Sequence, residues 1–251
     1  MSEIRGIYTL WLREVKKFLR EKPRLLNAFC QPLLWLFIFG TGLRFSANVA
    51  GHNYQEFIFP GLVCQAMLFT AMFLGVSVIW DREFGFLKEI LVSPVSRPSI
   101  FLGKMLGVST DVMLQGIIIF PFALLIGASI SPFVFLRALP IMLLITVGLT
   151  CIGLVFASLM KSFEGFGLVQ TFINLPMFFL SGALFPLSNV PQWLVWVSYA
   201  NPLTYGVDAL RTVMMGGAWA PLFPMYVSIG ILLAFDAVMF TIGIYAFGRT
   251  E

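Results

Sequence analysis

The chain has 251 residues, 59% of them apolar and only 11% charged, with a formal net charge of +4. A soluble domain is roughly 45–50% apolar and about 25% charged, and folding at this size covers only about three quarters of the chain's surface. The bilayer must therefore be the main solvent, as the mean hydropathy of +0.92 also requires. This excludes a secreted disulfide scaffold, a disordered chain and an ordinary cytosolic enzyme, and predicts one all-α membrane domain.

Residues 4–22 predict a basic amphipathic helix. Ile4, Tyr8, Trp11, Val15, Phe18 and Leu19 recur on one face, with Arg5, Arg13, Lys16, Lys17 and Arg20 on the others. Such a helix lies in the membrane interface without crossing it, either as an anchor or as a strut that transmits motion to the first span. Residues 1–24 are thus expected to form a cytoplasmic element and 25–251 the membrane domain. The first apolar run starts near Leu25, behind this charged helix, so no cleavable signal peptide is predicted.

A hydrocarbon core about 30 Å thick needs roughly 20 apolar helical residues. Six runs qualify: Leu25–Leu43, Phe57–Trp80, Ile100–Ile126, Leu139–Met160, Phe166–Leu184 and Leu222–Phe247. With both termini inside, 13 Lys and Arg fall on inner segments and only Arg44, Arg137 and Arg211 on outer ones. The positive-inside rule then places both ends in the cytoplasm. Cys30, Cys64 and Cys151 sit within apolar runs, and His52 is the sole histidine. That spacing argues against disulfides and metal ligation.

Between the second and third spans lies the longest cytoplasmic loop after the N-terminal helix, residues 81–99. Phe84, Leu87, Ile90 and Leu91 make an apolar stripe at helical spacing, with Asp81, Arg82, Glu83, Lys88 and Glu89 around it and Gly85 within it; Pro94 and Pro98 end the helix. A short helix of this kind suits a protein partner as well as a membrane. Residues 185–217 are too apolar for a solvated loop, with Trp193, Trp196, Tyr199 and Tyr205, and too broken for a span, with Pro186, Pro191 and Pro202. They predict short re-entrant helices in the outer leaflet, covered by protein or a watery cavity, with the aromatic residues at headgroup level.

Asp111 and Gln115 fall inside the third span, Asn174 inside the fifth and Asp236 inside the sixth. A carboxylate in lipid costs about 2.5–3.5 kcal/mol on insertion scales, so each should face protein or water. They either pair with one another and with freed backbone groups or form a cargo path or conformational latch. No intramembrane Lys, Arg or His is read beside them, which weakens a proton relay. The sequence lacks a phosphate-binding loop, since Gly103-Lys104 is followed by Met105, and it carries no nucleophile–base set. The pattern is that of half a pore driven by a separate motor. A nucleic-acid role would need a basic face interleaved with aromatics, which is absent.

Three stretches carry a resemblance to the ABC-2 type permeases, the membrane subunits of bacterial and archaeal ABC exporters. The first is Pro60-Gly61 after Phe57-Ile58-Phe59. The second is Asp81–Pro98, with Glu83-Phe84-Gly85 and Leu91-Val92-Ser93-Pro94-Val95-Ser96-Arg97. The third and most specific is Ser181-Gly182-Ala183-Leu184-Phe185-Pro186, then Asn201-Pro202-Leu203-Thr204-Tyr205, then Arg211. Asn174 and Val190 depart from the upstream half of that last pattern. The resemblance implies a homodimer or close heterodimer in a prokaryotic cell membrane, with two ATP-binding subunits docked on loop 81–99. ATP and Mg would be bound by those partners and no cofactor by this chain. It also implies outward export, most similar to the drug-resistance branch and hence of a lipophilic or lipid-linked cargo. Polysaccharide or glycolipid export is the alternative, and a proton-driven secondary transporter using Asp111 and Asp236 a distant one.

Overall fold

The computed structural model describes residues 3–20, 30, 33–38, 48–49, 52–86, 90, 92, 94–126, 131–160 and 162–248. Most of the expected first span, 25–43, and Leu87, Lys88, Glu89 and Leu91 of the expected docking stripe lie outside them. Helix α1 spans Glu3–Arg20, with acidic Glu3 in its first turn and basic Lys17 and Arg20 in its last, as the helix dipole favours. Residues Asn48–Val49 (β1) and His52–Asn53 (β2) pair antiparallel, Asn48 opposite Asn53. Helix α2, Tyr54–Gly75, continues after a break at Val76 into α3, Ser77–Glu83. Helix α4 is Arg97–Ile119, with Pro98 in its first turn, and tightens into a 3-10 turn over Phe120–Ile126.

Helix α5, Pro132–Leu159, is capped by Ser131, whose hydroxyl accepts from the Val134 amide; α6, Phe163–Phe179, is capped in the same way by Ser162. Two short helices follow, α7 (Gln192–Ala200) and α8 (Pro202–Met215), and then α9, Met225–Gly248. Among the described residues, four helical stretches are long and apolar enough to cross a membrane: Tyr54–Glu83, Arg97–Leu124, Pro132–Leu159 and Met225–Gly248. They coincide with the second, third, fourth and sixth expected spans. The fifth expected span, Phe166–Leu184, ends early, because α6 stops at Phe179 and the chain turns through Gly182 at φ +71°.

Of an apolar 18-residue segment within the α2–α3 stretch 83% is buried, and of one within α9 only 22%, so α2 is the centre of the bundle and α9 a peripheral member. Helix α2 packs on α4, α5 and α8, and α9 packs mainly on α5. Two glycines permit the central crossing. A Cβ on Gly75 would meet the Gly153 carbonyl oxygen at 2.5 Å, and one on Gly153 the Ala71 oxygen at 2.7 Å.

Helix α1 packs against the bundle along a ridge that the sequence reading did not single out. It buries Gly6, Leu10, Glu14 and Phe18, while Ile4, Tyr8 and Leu19 of the expected apolar face remain exposed. That ridge sits in a groove left by Gly103 and Gly107 on α4. A Cβ at Gly103 would meet Leu10 Cβ at 2.8 Å, and one at Gly107 would meet Glu14 Cβ at 2.6 Å. Further contacts run from Ser96, held by Glu3, to Thr110, which accepts from Trp11 Nε1 at 3.0 Å. Helix α1 therefore lies along the first half of α4, as ridge-in-groove packing dictates where small residues allow close approach.

Candidate functional site

Loop 81–99 has a fastened stem and an exposed tip. Asp81, read in the sequence as part of a docking surface, is 2% exposed. Its carboxylate accepts from Arg13 Nη2 at 2.6 Å and Nη1 at 3.3 Å and from the Lys104 ammonium. Lys104 also stands 3.7 Å from Glu14 Oε1. Two cations and two anions from α1, α3 and α4 thus neutralise one another in a place where any one alone would be costly. Burial works against the Arg13 guanidinium, but the hydrogen bond and charge of Asp81, with Glu14, hold it above its ordinary range.

Beside this cluster Arg82 donates to the carbonyls of Met160, at 2.8 Å, and Ser158, at 3.0 Å, satisfying the free end of α5. Lys17 lies 4.8 Å over the Trp80 ring. Arg97 bonds the Gly248 carbonyl at the end of α9. Glu83 and Phe84 are exposed, Phe84 at 71%, Gly85 turns the chain at φ +77° and Ile90 is half-buried. Motion of the tip would reach α1, α4, α5 and α9 through bonds at its base.

The stretch from Ser181 to Arg211 forms a second assembly. Arg211, counted in the sequence with external loops, is 2% exposed. Its guanidinium donates to the carbonyls of Phe57 (3.2 Å), Gly182 (3.0 Å) and Ala183 (3.3 Å) and lies 3.9 Å over the Phe57 ring. Ser181 Oγ donates to Phe178 O. Asn201 caps α8 by accepting from the Leu203 amide, and its side-chain amide donates to Met177 O. Pro202 supplies the first turn of α8, and the Tyr205 hydroxyl donates to Tyr199 O. Pro186 N-caps a short 3-10 turn over Leu187–Asn189, and Leu203 is buried in the core. Asp208, which the sequence reading missed, accepts from the Leu222 and Phe223 amides. These residues brace a broken backbone whose polar groups have no helix to satisfy them. Gly61 belongs to the same unit, since a Cβ there would lie 2.6 Å from that of Ala183.

The polar residues singled out inside the spans sit on three helices, α4, α6 and α9. Gln115 accepts from Thr70 on α2. Asp111 and Asn174 are each 2% exposed, on α4 and α6. Asp236 is 8% exposed and faces Gly148 on α5. Sequence reasoning placed no cation inside the membrane helices; the structure corrects this, with Lys104 fully buried within α4. The available signal was a lysine flanked by the Gly103 and Gly107 groove. Among the described residues no His, Cys, Asp and Glu group is placed to hold a metal ion.

Residues 5–215 match the family described as ABC-2 type transporter. A transport permease designated ycf38 from Cyanophora paradoxa is 31% identical, covering 94% of this chain and 87% of its own. Nodulation protein J of Rhizobium leguminosarum bv. viciae is 27% identical over 87% of this chain and 84% of its own. The inner membrane transport permease YadH of Escherichia coli strain K12 is 25% identical over 94% and 92%.

Proposed function

Since this chain belongs to the ABC-2 type transporter family, we propose that it is the permease subunit of an ATP-driven exporter in a prokaryotic cell membrane, with both termini cytoplasmic. The family match across residues 5–215 carries the reading. Association with an ABC ATP-binding subunit follows from that family; two copies of it, each binding ATP and Mg, are our reading. They dock on the tip of loop 81–99, at Glu83, Phe84 and Gly85 and at the neighbouring Leu87, Lys88, Glu89, Ile90 and Leu91. The bonded base at Asp81 and Arg82 passes the movement on.

A second copy of the chain completes the pore. Leu168, Phe172, Leu175 and Phe179 support this, because they leave an exposed apolar strip along α6 at helical spacing. The cargo is lipophilic or lipid-linked. Trp193 and Trp196 stand exposed on α7 and equally favour the second reading, a glycolipid or polysaccharide chain stacking on the rings. The test is co-expression with an ATP-binding subunit encoded beside it, followed by ATP-dependent uptake into inverted vesicles. Uptake of a lipophilic dye that stops when that subunit is omitted is expected. Uptake that persists without any ATPase would point to the proton-driven alternative instead.

A further inference from the structure

Asp236 stands at the midpoint of α9, whose 24 residues run from Met225 to Gly248. Its carboxyl turns toward α5, where Gly148 leaves room for it; a Cβ there would collide with Asp236 Oδ1 and come within 3.0 Å of the Phe235 ring. The walls are apolar: Leu144, Ile145, Leu149, Leu203 and Leu232. The space that remains is about 10 Å³, room for one water-sized group. Asp236 keeps 8% of its surface, so the crevice is narrow but unsealed. The carboxyl oxygen Oδ1 is buried with no hydrogen-bond partner among the described residues.

No other residue lining this crevice carries a charge. An acceptor unmatched by the described residues, in an apolar wall with room for one small group, is open to a donor from outside the chain. The outer side of α9 supplies a track, because Leu233 is 52% exposed one turn away. We propose that this crevice binds the head of an amphiphile that donates a hydrogen bond, a primary ammonium or a hydroxyl, with its apolar body lying along α9. Gly148 makes the space and Asp236 takes the donor. The site does not depend on the exporter reading, since binding needs no ATPase.

The test uses the full chain in phosphatidylcholine nanodiscs and equilibrium binding of dodecylamine, dodecanol and dodecyltrimethylammonium, with empty nanodiscs as baseline. Saturable binding of dodecylamine or dodecanol is expected, at least tenfold tighter than the trimethylammonium, which has no donor. Asp236→Leu exchanges a carboxylate that is costly in the membrane for an apolar side chain and should weaken binding at least tenfold, as should Gly148→Ala by filling the crevice. Asp236→Asn then separates the two heads: a tenfold loss marks an ammonium, and a loss under threefold a hydroxyl. Unsaturable binding, an unchanged affinity in Asp236→Leu, or equal affinity for the donor-free head would overturn the proposal. None of these would touch ATP-dependent uptake, and loss of uptake with binding intact would leave the site standing.

Discussion

Removing the Lys104 ammonium leaves the side chains of Asp81 and Glu14, 3% and 6% exposed, with only Arg13 to share among the described residues. Breaking a buried pair by deleting one partner costs about 3–5 kcal/mol. Lys104→Met should therefore destabilise by that amount, whereas Arg13→Met, at a side chain 36% exposed, should cost about 1 kcal/mol. Unfolding in detergent measures both, and adding Glu14→Gln to Lys104→Met should recover part of the loss. Glu3 offers a pH-dependent counterpart at the start of α1. Hydrogen bonds from Ser99 and from the amide and hydroxyl of Ser96 hold its carboxyl below the usual range. A depressed carboxylate contributes above its unfolded value and is lost as pH falls through its folded one. Protection from hydrogen exchange at the start of α1, relative to the unstructured rate at the same pH, should accordingly fall as pH drops below about 4, and Glu3→Gln should remove that dependence.

At the scale of elements, α1 is held to α4 by a ridge in a groove. Gly107→Leu should push Glu14 out of the groove and detach α1 from α4, raising hydrogen exchange across residues 3–20. Gly230→Leu, on α9 with nothing within 4 Å of its would-be Cβ, should leave that exchange unchanged. This packing was hidden in the sequence because an isolated helix shows only its own periodicity. Glu14 reads as a solvated residue until Lys104 is placed beside it. Helix ends were hidden for similar reasons. Helix α5 starts at Pro132 because Ser131 caps it, and a hydropathy window weighs Arg137 above that cap. Helix α6 stops at Phe179 because Arg211, remote in sequence, takes the carbonyls of Gly182 and Ala183.

Across the whole molecule, what was legible was whatever a bilayer imposes locally: long apolar helices and broken helices rich in Trp and Tyr. The family pattern from Ser181 to Arg211 was legible as residues but not as a brace, since its bonds join α6, α7 and α8 to α2. On the function proposed above, work enters at the tip of loop 81–99 and spreads from a charge-locked base. An aromatic anchor at an interface is typically worth about 2 kcal/mol or more and an exposed ion pair under about 1 kcal/mol. The most direct test is cargo-stimulated ATP hydrolysis by the permease reconstituted with its ATP-binding subunit. Phe84→Ala should lower stimulation at least tenfold and Lys88→Ala less than fivefold. Full stimulation in a Phe84→Ala, Glu89→Ala double variant would mean that the motor docks elsewhere.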